Sequence, residues 1–232
     1  MSLPFLDWLG PQEWQAIRLS VQVSLVATIL SLPLAIAVAW LLARRNFPGH
    51  GLVSGLVHLP LILPPVVTGY LLLITFGTKG PVGRLLEPFG IIFAFRWTGA
   101  ALAAAIMSFP LTVRAIRLGF EAVDPKLEQA AATLGAPRIW IFLTVTLPLI
   151  FPAILAGATL GFAKAMGEFG ATITFVSNIP GKTQTLPSAI YALLEQPGGE
   201  GPAMRLVLVS IVVALSAVIG SEYLARRMAA RR

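Results

Sequence analysis

From Ile17 to Arg45 the chain reads IRLSVQVSLVATILSLPLAIAVAWLLARR. Nothing between Arg18 and Arg44 carries a charge, and a helix over this stretch is roughly 40 Å long at about 1.5 Å per residue. That length crosses a hydrocarbon core of about 30 Å even when tilted. The two arginines that close it are the stop expected at a membrane surface. Residues 1–16 have neither the basic start nor the apolar core of a cleavable signal peptide, so the first span is expected to stay in the protein as an anchor.

The pattern recurs along the chain. Apolar runs extend over about Leu52–Phe76, Trp97–Val113, Ile141–Ala163 and Leu206–Leu224, separated by short clusters of Arg, Lys, Gly and Pro. Of 232 residues 56% are hydrophobic and 12% charged, against roughly 25% charged in soluble domains, so most of the surface is expected to face lipid. Between Lys164 and Met204 the apolar runs, such as Ala171–Val176, are too short to span and are expected to form short helices or re-entrant segments. The fold class that follows is an all-α integral membrane protein with about five transmembrane helices, an N-terminal segment over 1–16, a transmembrane domain over 17–225 and a basic tail over 226–232.

An odd number of spans puts the termini on opposite sides. With the C-terminus inside, the cytoplasmic side holds Arg44, Arg45, Arg114, Arg117, Lys126, Arg138, Arg226, Arg227, Arg231 and Arg232, ten of the seventeen Lys and Arg. The excess of basic residues on one side therefore predicts an external N-terminus and a cytoplasmic C-terminus. It also accounts for the net charge of +7 without nucleic acid, because no basic stripe with interleaved aromatics is present.

What the spans lack disfavours several function classes, an ion-coupled secondary transporter among them, which stays as an alternative. Their middles hold no Asp, Glu, Lys or Arg, and the one titratable group there is His58. Ion-coupled transporters keep carboxylates or paired charges at membrane depth to bind the driving ion. His58 is either a proton relay or, as is commoner near a helix end, a hydrogen-bonded packing residue. With no cysteine and two histidines, His50 and His58, a thiolate metal site is excluded and no cofactor is expected. Gly181-Lys182-Thr183 echoes the end of a phosphate loop, but Val176 stands where its first glycine belongs. No nucleophile has a plausible base, so the chain is not expected to be an enzyme by itself.

The second span carries Pro60, Pro64 and Pro65. Each removes a backbone donor and crowds the preceding turn, and such a break is tolerated at membrane depth only against protein or a wet cavity. Pro64 and Pro65 are therefore candidate pathway-lining residues, with a plain kink as the alternative. Thr68, Ser108, Thr112 and Thr159 offer hydroxyl donors to an anion, or else bond their own helices.

The long connection over about 121–140 contains a short helix. Asp124 is placed to cap it and Pro125 suits its first position. Leu127, Ala130, Ala131 and Leu134 then form one small apolar face, and Gly135 stands where a left-handed cap is expected. A second helix start follows at Pro137. A capped helix too short to span is suited to docking in a groove on another protein, or to lying at the interface.

The segment Glu128-Gln129-Ala130-Ala131-Ala132-Thr133-Leu134-Gly135, followed after nine residues by Val145-Thr146-Leu147-Pro148, resembles the coupling loop of binding-protein-dependent ABC importer permeases. The resemblance implies a MetI-like permease core, with Glu128, Gln129, Ala130, Ala131, Leu134 and Gly135 engaging a separate ATPase subunit. Gln129 stands where the commonest motif has Glu. The segments His58 to Tyr70, Gly167-Glu168-Phe169-Gly170 running on to Asn178-Ile179-Pro180-Gly181, and Pro197 to Glu200 are similar to permease subunits of molybdate importers. That implies a homodimeric pore with Glu168 near the pathway, two cytoplasmic ATPase subunits, an external oxyanion-binding protein and a place in the inner membrane lipid. Sulfate and tungstate permeases are the alternatives.

Overall fold

The computed structural model describes residues 8–229; Arg231, Arg232 and residues 1–7 of the expected N-terminal segment lie outside them. Every regular element among the described residues is helical. In chain order these are α1 (Pro11–Arg44), α2 (His50–Ile62), α3 (Pro65–Phe76), α4 (Pro81–Leu86), α5 (Trp97–Ala122), α6 (Pro125–Thr133), α7 (Arg138–Ile141), α8 (Leu147–Met166), α9 (Gly170–Val176), α10 (Leu186–Leu194) and α11 (Glu200–Ala229). A 3-10 turn, Glu87–Phe89, follows α4, and a π-helical segment, Phe142–Thr146, joins α7 to α8.

Among the described residues, four helices are long and apolar enough to cross a membrane: α1, α5, the continuous run Arg138–Met166, and α11. The second expected span is not one rod. It is the pair α2 and α3, bent by 110°, and counts as a fifth crossing only when the two are taken together. The cause is local. Leu63 precedes Pro64 and Pro64 precedes Pro65, and a residue before proline is pushed out of the helical region. Leu63 accordingly has ψ 144° and Pro64 has ψ 135°.

Two other boundaries move. The first helix begins at Pro11 rather than near Ile17, and the third runs on past Val113 to Ala122. Arg114 and Arg117 therefore ride on the last turns of α5 rather than opening a loop, and Arg117 pairs with Glu121 one turn on, at 2.7 Å.

The most enclosed helix is α5, flanked by α1 and α8. Without a hydrophobic drive between helices in lipid, close packing must hold them, and small residues permit it. Ala100, Ala103 and Ala104 are fully buried, and a Cβ at Gly161 of α8 would collide with Thr112 Oγ1 of α5. Val23 and Ala27 of α1 pack with Met107 of α5 and Phe175 of α9 in one cluster, and Ala39, Ile116, Phe120 and Ile150 in a second. Outward faces remain apolar, with Leu30, Leu34, Val212 and Ile219 exposed.

Candidate functional site

The α6 loop is built by its own sequence. The Asp124 carboxylate accepts the Lys126 amide at 2.9 Å, capping the first turn. At the other end Gly135 has φ +84°; its N–H donates to the Ala132 carbonyl, and that of Ala136 to the Ala131 carbonyl. These two bonds are the Schellman closure, which needs the left-handed residue that glycine supplies without strain.

None of the α6 residues is buried. Leu127, Ala130 and Leu134 lie open, Leu134 at 88% exposure, and beyond the turn Ile139 and Trp140 are open as well. Ala131 is half-buried and Gln129 exposed.

Glu128 is turned toward its own chain. Its Oε1 accepts from Arg44 Nη2 at 3.2 Å and from Thr146 Oγ1 at 2.9 Å. Arg44 Nη2 also donates to the Val123 carbonyl. One carboxylate thus joins the end of α1, the middle of α6 and the π segment. The sequence marks Arg44 as a topology charge and does not reveal its partner, because the pair is 84 positions apart. The π segment has its own cause. Pro148 has no N–H for the Thr144 carbonyl and its ring crowds that group, so the preceding turn widens and the Leu147 N–H reaches Phe142.

At the opposite end of the bundle, α3 and α9 lie against each other with no room between them. A Cβ at Gly69 would stand 2.5 Å from the Ala171 carbonyl oxygen, and one at Gly170 would stand 2.7 Å from Pro65 Cβ. Glu168, 3% exposed, fixes the start of α9. It accepts the Ala171 N–H at 3.1 Å and pairs with Lys164 Nζ at 2.8 Å. The i,i+4 spacing of Lys164 and Glu168 was a readable signal for this pair.

Thr68 is buried on α3 and its hydroxyl has no partner. The other hydroxyls are spent on their own helices: Ser108 bonds Ala105, Thr112 bonds Ser108 and Thr159 bonds Leu155. Pro64 and Pro65 are exposed at the bend. The structure therefore brings Pro65, Thr68 and the Glu168-anchored α9 to one place, and puts Ser108 in the α5 packing.

His58 bonds the Ser54 carbonyl at 2.7 Å, as a packing histidine does. No group of three metal-ligating side chains occurs among the described residues. Thr183 is fully buried; its hydroxyl donates to the Ser177 carbonyl and accepts the Ile179 N–H, so Gly181-Lys182-Thr183 is a closed turn. On α10, a hydrogen bond to Glu195, its negative charge and some desolvation hold the Tyr191 phenol above its usual value.

The family model of binding-protein-dependent transport system inner membrane components matches residues 24–230. The chain belongs to that family. Within it, the molybdenum transport system permease protein ModB of Escherichia coli K12 is 60% identical over 219 residues, which are 94% of this chain and 96% of that protein. The sulfate transport system permease protein CysT of Salmonella typhimurium is 35% identical over 89% of this chain and 76% of that protein. A bacterial alginate ABC transporter, solved in complex with an alginate pentasaccharide-bound periplasmic protein, superposes with a TM-score of 0.75 at 20% identity, over 98% of this chain and 84% of that one. That likeness establishes the fold; the family match makes the chain an inner membrane component, and its apolar helices cross the bilayer several times.

Proposed function

We propose that this chain is the pore subunit of an ATP-driven importer of molybdate in the inner membrane. Two copies enclose the pathway, an external binding protein delivers the oxyanion, and two cytoplasmic ATPase subunits supply the energy. The observation that carries the substrate is the 60% identity to a molybdenum permease over nearly both full lengths, against 35% to a sulfate permease.

The geometry supports the division of labour. Span middles without fixed charge give a dianion no deep well, so it passes without being held, as conduction requires. Affinity then resides in the binding protein. Beside the bend between α2 and α3, the Thr68 hydroxyl is buried without a partner, a donor an anion reaches once α3 shifts. The exposed apolar face of α6 docks in a groove of the ATPase, with Leu127, Ala130 and Leu134 as its contacts and Gly135 shaping its end. Glu128 acts from behind that face, transmitting motion of α6 to α1 and α8 through Arg44 and Thr146. The arginine bias supports a cytoplasmic side for α6 and the C-terminus and an external N-terminus.

Uptake of labelled molybdate by cells deleted for their own molybdate permease tests this reading. Supplying this chain with its cognate ATPase and binding protein restores uptake; absence of uptake from a membrane that holds all three refutes it.

A further inference from the structure

Beside the coupling helix lies a cavity of about 870 Å³, walled by the end of α1, by α6 and by the α7 to π-segment run. Two cations line it, Arg45 just past the end of α1 and Arg138 from α7. Both are exposed and neither forms an ion pair with any described residue. The carboxylate in the same cavity, Glu128, is already neutralised by Arg44. The site is thus left with two uncompensated guanidinium groups.

Apart from Gln129 and Thr146, the rest of the wall is apolar. Ile36, Phe142 and Leu143 line it, with Trp40, over whose ring the Arg45 guanidinium sits at 5.5 Å. Tryptophan at the end of a spanning helix marks the headgroup level of a bilayer, and Trp40 stands four residues before the charged end of α1. A small hydrated oxyanion would use the two arginines and leave the apolar wall bare. A phospholipid uses both. Its phosphate suits the guanidinium groups, which favour bidentate contact with phosphate oxygens, and its acyl chains cover the side chains running toward the membrane interior.

We propose that this cavity holds an anionic phospholipid of the leaflet on the α6 side, with its phosphate between Arg45 and Arg138. Basic pockets between spanning helices serve this purpose on cytoplasmic faces. Because Glu128 and Gln129 of α6 form part of the wall, the bound lipid also steadies the coupling helix, and the lipid content of the membrane bears on transport.

The test is native mass spectrometry of the purified full-length chain, stripped of lipid and then titrated in parallel with phosphatidylglycerol and phosphatidylcholine. Phosphatidylglycerol is retained preferentially, and the double variant Arg45→Gln/Arg138→Gln loses about tenfold of that retention, as expected for removing two cationic contacts to an anionic headgroup. Arg45→Lys/Arg138→Lys keeps an intermediate share, because the charges stay while the bidentate contacts are lost, which separates lost charge from lost folding. Arg84→Gln/Arg96→Gln, on the opposite side of the membrane, leaves it unchanged. Equal retention by the Gln double variant and the unaltered chain overturns the proposal. So does displacement of the lipid by inorganic phosphate at equal concentration, which marks a free-anion site. Disulfide formation between copies carrying cysteine at 45 or at 143 overturns it too, by showing that a second copy fills the cavity.

Discussion

Arg44 and Glu128 meet at 3.2 Å across 84 positions of chain, joining the last turn of the first spanning helix to α6. Both side chains are half-buried, at 16% and 30% exposure, so the bond is less screened than a surface pair. Thr146 donates to the same carboxylate oxygen. Whatever moves α6 must therefore move α1 and α8 or break these bonds.

Reversing one charge tests that linkage. Glu128→Lys sets an ammonium against Arg44 and strands the Thr146 hydroxyl, at a local cost on the order of 1–3 kcal/mol. Molybdate uptake falls while the protein still inserts, and the exchanged pair Arg44→Glu/Glu128→Arg recovers part of the loss. Because Glu128 faces its own chain, ATPase affinity changes less than uptake does. Recovery by the exchange is the distinguishing readout, since a carboxylate that touched only the ATPase gains nothing from it.

Gly135 offers a cleaner perturbation of the same helix. Nothing lies within 4 Å of a Cβ placed there, so the cost of a side chain is the φ of +84° alone. Gly135→Val costs roughly 1–2 kcal/mol and unwinds the Schellman closure, whereas Gly135→Asn, which tolerates this region, costs less. Uptake is expected in the order Gly, Asn, Val, with equal amounts of protein in the membrane. Equal uptake by all three contradicts the docking role of this turn.

At the other end of the bundle, the prediction concerns contact between α3 and α9. Gly69→Ala places a methyl 2.5 Å from the Ala171 carbonyl oxygen, and overpacking of this kind costs about 1–3 kcal/mol. Lowered thermal stability together with reduced uptake is the expected result. Removing the Lys164 charge, as in Lys164→Met, leaves the buried Glu168 carboxylate unpaired and is more harmful than Lys164→Met/Glu168→Gln together. A double variant as impaired as Lys164→Met alone contradicts the anchoring role.

The orientation is open to direct labelling, because the native chain has no cysteine. A cysteine in place of Asn46 is shielded from an impermeant thiol reagent in intact cells, and one in place of Leu85 is labelled. Both sites are exposed. The reverse pattern inverts the topology argued from Arg44 and Arg45.

Sequence and structure agree where the signal is local. Asp124, Pro125 and Gly135 each dictate the backbone within a few residues, and the capped α6 follows from them. Composition alone made the fold helical and membrane-embedded. The double proline at 64 and 65 announced a break, but not that α3 would seat against α9 through Gly69 and Gly170. Arg114 and Arg117 misled the boundary of α5, because long side chains let a helix emerge from the membrane without ending. The bond between Arg44 and Glu128 was invisible for a different reason: only the packed bundle brings those helix ends together. For the hydroxyls, sequence held both readings open, and hydrogen bonding divides them between Thr68, which is unpartnered, and Ser108, which is bonded to its own helix.

The central claim concerns what passes through the pore, and it is tested most directly by ATP turnover in vesicles holding this chain, its cognate ATPase and its binding protein. Turnover is predicted to rise when the binding protein carries molybdate or tungstate and to stay at its basal rate when sulfate is offered instead. A binding protein that takes sulfate in preference, and stimulates turnover with it, would contradict the molybdate assignment.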